Sequence, residues 1–117
     1  MRNIRMLFNS RAANWDQFHP HDPAKITLML ALSALSPGMD FLDVGCGTGV
    51  LVPYLLGYNP RRVVAVDFAE NMIEIARDKI SDPRAEFFCS DAAGAAAELG
   101  KRGVRPDLVV LDPPRKG

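Results

Sequence analysis

The sequence is poor in several features, and each absence removes a class of protein. It holds two cysteines, Cys46 and Cys89, too few for a disulfide framework. Its two histidines, His19 and His21, stand in no metal-like spacing with them, so no metal site is expected. Fourteen basic and fourteen acidic residues cancel; a broad grip on nucleic acid usually leaves a basic stripe, and the balance speaks against one. The local clusters Arg61-Arg62 and Lys101-Arg102 read as solvated helix ends and loops. No apolar run approaches the ~20 residues of a membrane span, and the stretch from Met1 to Phe8 lacks the apolar core of a signal peptide. There is no internal repeat and no low-complexity linker. The expectation is a reduced, cytoplasmic protein with no membrane partner, a single domain over residues 1–117 that buries only about two-thirds of its unfolded surface.

What is present is an alternation of apolar runs and amphipathic stretches. Phe8, Arg11, Ala12 and Trp15 fall at helical spacing, so residues 5–16 are expected to form a short helix. Phe18-His19-Pro20-His21-Asp22-Pro23 breaks it, and Asp22 before Pro23 opens the next helix with a cap acceptor and a first-turn proline. That helix should run to about Leu35, apolar nearly all round and therefore mostly buried. Strands are expected at Asp40 to Val44, Arg62 to Asp67, Glu86 to Cys89 and Leu108 to Leu111. Between them lie helices at about Val50 to Leu56, Glu70 to Ile80, with Met72, Ile73, Ala76 and Ile80 on one face, and Ala92 to Leu99. Pro53 is tolerable because the first helical amides have no intrahelical acceptor. Strands alternating with helices imply βαβ units and a parallel sheet covered on both faces. Such sheets bind ligands beyond the carboxyl ends of their strands. All four strands end beside an acid, at Asp43, Asp67, Asp91 and Asp112.

The first of these ends, Phe41 to Leu51, breaks into alternating glycines. Glycine-rich turns alone are weak evidence. Counted from Gly45, the dinucleotide fingerprint needs its third glycine at position 50, which is Val50; here it comes one residue early, at Gly49. No Gly-Lys-Ser/Thr follows, so the phosphate-cradling loop fails too. Leu42-Asp43-Val44-Gly45-Cys46-Gly47-Thr48-Gly49 resembles the first motif of the class I S-adenosylmethionine-dependent methyltransferases, and the resemblance continues through Val66-Asp67-Phe68-Ala69-Glu70-Asn71-Met72. It implies an α/β, Rossmann-like three-layer sandwich with a mainly parallel sheet, here truncated after its fourth strand. It further implies that S-adenosylmethionine is the cofactor. By that likeness Asp43, Gly45, Cys46, Gly47 and Gly49 line its methionine part, Asp67 takes the ribose hydroxyls, Phe68 and Met72 flank the adenine, and Asp91, with Ala92 beside it, reaches the exocyclic amine. A carboxylate can accept both ribose protons, and a backbone without Cβ atoms can approach a ligand closely. Ser90-Asp91 before a helix is equally an ordinary N-cap. Ala69 replaces the serine or threonine common in the family, which weakens the cap of the following helix. Both cysteines read as small packing residues.

The two ends of the chain point to different acceptors. Phe8 to Asp16 resembles the N-terminal lid of small-molecule methyltransferases, which makes 1–22 a lid segment. Asp112-Pro113-Pro114-Arg115-Lys116-Gly117 resembles a motif of the 5-methyluridine RNA methyltransferases and, more distantly, of the aminomethyltransferases. The cysteine nucleophile of the RNA enzymes would lie in a later motif that has no counterpart here. The favoured reading is a methyltransferase core with a small-molecule acceptor, Asp112 orienting that acceptor or taking its proton and the Pro113 carbonyl assisting. RNA is the other acceptor in play, and a cofactor-binding module without turnover or a fragment of an RNA methyltransferase is the rival. A nicotinamide-dependent oxidoreductase is disfavoured by Val50. Because a fourth strand left at the sheet edge invites pairing, a homodimer through Val109 to Leu111 is expected.

Overall fold

Apolar runs rich in valine, leucine and phenylalanine, each bounded by turn residues, become the strands of one parallel sheet. The structure, a computed structural model, describes residues 5–8 and 23–111. Its elements are β1 (Arg5–Phe8), α1 (Pro23–Leu32), β2 (Asp40–Val44), α2 (Val52–Leu56), β3 (Arg62–Asp67), α3 (Glu70–Lys79), β4 (Ala85–Cys89), α4 (Ala92–Lys101) and β5 (Leu108–Leu111). The five strands lie in the order β1-β5-β2-β3-β4, all pairs parallel. From β2 the chain steps outward to β3 and β4, then returns to the other side of β2 as β5. Strand order therefore reverses between β2 and β5, and a crevice opens at such a reversal in an α/β sheet.

Alternation along the strands divides the core into two layers. Phe41, Val63, Ala65, Phe87, Leu108 and Val110 face one way and bury Leu30 of α1, Val52 and Leu55 of α2, and Ile73 and Ala76 of α3. Leu42, Val64 and Val66 face the other way, under Ala95 and Leu99 of α4 and Val104. The α/β three-layer arrangement with a parallel sheet is the expected one. Each large apolar side chain so buried contributes about 1.5–3 kcal/mol before the entropy of ordering is set against it.

Several expectations are corrected. The fourth apolar run, β5, is not an edge: β1 pairs with it from Arg5↔Leu108 to Phe8↔Leu111. The sheet therefore does not stop at its fourth strand, and the reason for expecting a homodimer through Val109 to Leu111 disappears. The same pairing overturns the helix expected from residue 5, since Arg5–Phe8 is extended; the remainder of that expected helix, His19, His21 and Asp22 lie outside the described residues. Helix α1 ends at Leu32, short of Leu35, and Ala34 follows at φ 53°. It is also less buried than its composition suggests: Leu30 is inside, while Leu28 and Leu32 are exposed. The helix layer is one element deep there, so only one side of α1 meets the core. Met72 likewise lies outside the core face of α3, which consists of Ile73 and Ala76. No helix among the described residues is long and apolar enough to cross a membrane.

At the amino edge of the sheet Asp40 is almost fully buried, 1% exposed. Burial pushes its carboxyl up, but hydrogen bonds and charge from Arg61, reinforced by Arg62, outweigh this and hold it below the ordinary value. Arg61 Nε donates to Asp40 Oδ1 at 3.1 Å, and Arg61 Nη2 pairs with Oδ2. Arg62 Nε lies 3.2 Å from Oδ1. The backbone joins in, with Asp40 N–H donating to Asp107 Oδ2 at 2.8 Å and Asp107 N–H to the Asp40 carbonyl at 2.7 Å. A carboxyl with a lowered folded-state pKa adds stability above its unfolded pKa and loses it as pH falls through the folded value. Asp40→Asn is expected to lose about 1–3 kcal/mol at neutral pH, the range for hydrogen bonds to charged groups. The difference from the parent protein should narrow once the pH drops below about 4. Urea unfolding of both proteins across this range checks it, and a difference independent of pH would contradict it.

Candidate functional site

The carboxyl ends of β2 and β3 build the site. Asp43 and Asp67 stand on the same sheet face, since Asp43 pairs with Ala65 and Asp67 lies two residues further along β3. Beyond Val44 the chain turns on Gly45, whose φ is 79°. Two successive amides, Gly45 N–H and Cys46 N–H, donate to the Val66 carbonyl at 2.9 Å each. The turn is thus folded over the end of β3 rather than leaving the sheet.

Asp67 fixes it there. Its Oδ2 accepts from Gly47 N–H at 2.9 Å and its Oδ1 from Ala69 N–H at 2.9 Å. The first bond ties the glycine turn and the second shapes the entry to α3, where Ala69 itself offers no side-chain cap. Glu70 in the first turn of α3 and Arg77 and Lys79 in its last complement the helix dipole. Asp67 is 8% exposed, and Asp43, deeper in the sheet, is 2% exposed. Two carboxylates so placed, one buried beneath the turn and one at its mouth, suit a polar, hydroxyl-bearing or cationic ligand.

The glycines divide by role. A Cβ on Gly49, at φ 81°, would meet Ile80 Cδ1 at 2.8 Å and Ala76 Cβ at 3.3 Å, so this glycine lets the turn lie against α3. A Cβ on Gly47, at φ 58°, would meet nothing within 4 Å. Its side of the turn faces open space, which is where backbone amides can be approached.

The other expected residues fall into place unevenly. Phe68 is 68% exposed immediately after Asp67, and Met72 follows one turn along α3 on the surface. Ile75, one turn further and also exposed, extends the same apolar strip; its spacing of three from Met72 was the available signal. Asp91 is the N-cap of α4, its Oδ1 accepting from Gly94 N–H at 2.7 Å, and Ala92 is the first helical residue. Ser90 N–H donates to the Asp67 carbonyl at 2.9 Å, which brings this cap to the end of β3. Cys46 is a packing residue, 8% exposed, with its Sγ 3.5 Å from the Gly47 carbonyl. Cys89 departs from expectation: it is exposed, its Sγ 3.3 Å from the Phe68 carbonyl. Asp112, Pro113 and the rest of the C-terminal motif lie outside the described residues, as does the expected lid apart from the backbone of Arg5–Phe8. The bond from Gly47 to Asp67 had no signature in the sequence beyond the acid itself.

A parallel sheet with a glycine turn folded over its second acid-tipped strand defines a cofactor-binding α/β class, and the comparisons agree. The chain belongs to the class I S-adenosylmethionine-dependent methyltransferases: residues 41–111 match the family described as "Methyltransferase domain". Among its relatives is the malonyl-[acyl-carrier protein] O-methyltransferase of Acetivibrio thermocellus, 37% identical over 110 residues that cover 92% of this chain and 37% of that protein. An uncharacterized RNA methyltransferase of Clostridium acetobutylicum is 28% identical over 94% of this chain and 25% of its own length. The chain thus spans between a quarter and little more than a third of the length of these relatives. Among solved structures, the precorrin 8w decarboxylase of Methanobacterium thermoautotrophicum shares the fold with a TM-score of 0.59 at 22% identity, over 79% of this chain and 63% of that one.

The glycine roles give a paired expectation. Gly47→Ala should cost about 1–2 kcal/mol, the penalty for a Cβ in left-handed backbone. Gly49→Ala should cost that plus about 1–3 kcal/mol for overpacking against Ile80 and Ala76. Chemical denaturation of both variants reads the difference, and equal losses would show that Gly49 does not govern packing on α3.

Proposed function

We propose that this chain binds S-adenosylmethionine at the carboxyl edge of its sheet and forms the cofactor-binding core of a methyltransferase whose acceptor is a small molecule. The observation that carries the reading is the Asp67 carboxylate, held by Gly47 N–H and Ala69 N–H and flanked by the exposed Phe68. A carboxylate has about four acceptor sites. With the backbone engaging each oxygen once, Asp67 retains the capacity for two ribose hydroxyls while its orientation is already set. The residues therefore fit the cofactor. Phe68 and Met72 supply the apolar flanks for an adenine, and Asp91 with Ala92 the polar edge. Asp43 and the backbone of Gly45, Cys46, Gly47 and Gly49 supply the surface for its methionine part.

When bound, the cofactor supplies an activated methyl group on a sulfonium. What the chain supplies is position, which is most of what such a transfer asks of a protein. Asp112 orients the acceptor or takes its proton, assisted by the Pro113 carbonyl; the lid role expected of residues 1–22 does not extend to Arg5–Phe8, which belong to the sheet. The small-molecule acceptor is supported by the cancelling charge of the chain and by the relative named for malonyl-[acyl-carrier protein] methylation. The RNA methyltransferases among the relatives support RNA as the second reading. A cytoplasmic setting is supported by two free cysteines.

Calorimetry with S-adenosylmethionine, followed by methyl transfer over a panel of small carboxylic acids, amines and unmodified RNA, tests the proposal. Binding with transfer to a small molecule is the expected result. Transfer to RNA alone would replace the acceptor, binding without transfer would leave a cofactor-binding module, and no binding would refute the reading. Asp67→Ala should weaken binding by roughly 1–3 kcal/mol through the loss of charge-assisted hydrogen bonds. Unchanged affinity in a folded variant would contradict the ribose role.

A further inference from the structure

Among the described residues, strand β4 forms one edge of the sheet. Which of its backbone groups point outward follows from two bonds. Val63 N–H donates to the Arg84 carbonyl at 2.8 Å and Ser90 N–H to the Asp67 carbonyl at 2.9 Å. The groups of Arg84 and Ser90 named there face β3, and direction alternates along a strand. Glu86 and Phe88 therefore face β3 as well, while Ala85, Phe87 and Cys89 point away from the sheet. Such a row is a template for another strand.

The strand does little in its own sequence to discourage pairing. Ala85-Glu86-Phe87-Phe88-Cys89 has no proline and no lysine, two of the usual edge defences. Its one charge, Glu86, is engaged with Arg102, whose Nη2 lies 2.8 Å from Oε1. The outward row is instead occupied from outside the strand. Ala85 N–H donates to the Asp82 carbonyl at 3.0 Å, closing the row at its start. In its middle, Arg77 reaches from α3 and its Nη2 donates to the Phe87 carbonyl at 2.7 Å.

We propose that Arg77 guards the edge: its guanidinium occupies the Phe87 carbonyl and keeps β4 from pairing with β4 of a second copy of this chain. A two-fold pairing is self-complementary, so the same five residues would meet in antiparallel register about Phe87. There the carbonyl that Arg77 occupies is the group both copies need. The contact draws on the ionised donor, which makes it stronger than a bond between neutral groups. It also leaves the bonds between β3 and β4 untouched, because it lies on their far side. The inference stands apart from the proposed function, since it concerns the edge of the sheet and no ligand.

The test compares the parent chain, Arg77→Ala and Arg77→Ala with Cys89→Pro by sedimentation velocity over a concentration series, with folding followed by circular dichroism. Alanine suits an exposed helical position. Proline at 89 removes an outward N–H without breaking a bond to β3. Arg77→Ala is expected to self-associate at least about tenfold more tightly than the parent, with the Phe87 and Cys89 amides gaining hydrogen-exchange protection as concentration rises. Adding Cys89→Pro should return it to parent behaviour. Unchanged association of Arg77→Ala overturns the proposal, as does association that survives the proline. Should Arg77→Ala fail to fold, the parent chain decides. Its Arg77 guanidinium nitrogens should give separate, slowly averaging NMR resonances, and a single freely averaged signal overturns the proposal.

Discussion

The carboxylate of Asp67 holds two turns at once, one oxygen on Gly47 N–H and the other on Ala69 N–H. The glycine turn and the entry to α3 take their places from that arrangement. The glycine turn is drawn over the end of β3, where Val66 accepts two of its amides. The entry to α3 is fixed without a side-chain cap at Ala69, with Phe68 exposed just before the helix and Met72 exposed on it while Ile73 and Ala76 go inside. An ion whose hydrogen bonds are made before a ligand arrives incurs little further ordering when one does, and such preorganisation favours affinity.

The opposite edge solves a different problem with similar chemistry. There Asp40 is buried between Arg61 and Arg62 and clamps β2 to the segment before β5 through Asp107. This acid serves the fold, and the two at the carboxyl ends of β2 and β3 belong to the candidate site. Separating the two tasks across the sheet leaves the site end shaped by turns, with its glycines free to adopt positive φ. At the amino end the strands are held in register by charge.

Much of the fold was legible in the sequence because buried parallel strands are continuous apolar runs. Phe41, Leu42, Val63 to Val66 and Leu108 to Val110 identify themselves by composition alone, and the acids that follow mark where they stop. Strand β1 was illegible for a physical reason. Four residues at an edge depend on the backbone of β5, which side-chain periodicity does not encode, and Phe8 with Trp15 offered a competing helical spacing. The same limit applies to Leu28 and Leu32: composition makes α1 look buried, but burial depends on how many layers surround it. In the candidate site, the placement of Asp67, Phe68 and the glycines together at the carboxyl edge was readable from spacing. Asp91 stood between two roles, and its bond to Gly94 makes it a helix cap whatever else it does. The division between Gly47 and Gly49 was hidden, because one meets α3 and the other meets solvent, a distinction that only packing reveals.

The central claim is that this tied carboxyl edge is where S-adenosylmethionine binds, and an amide NMR titration with that compound tests it most directly. The account predicts shifts concentrated at Gly45 to Gly49, Asp67 to Ala69 and the start of α3, with the amides of Asp40, Arg61 and Arg62 unmoved. Shifts centred on the amino edge, or none at saturating cofactor, would contradict it.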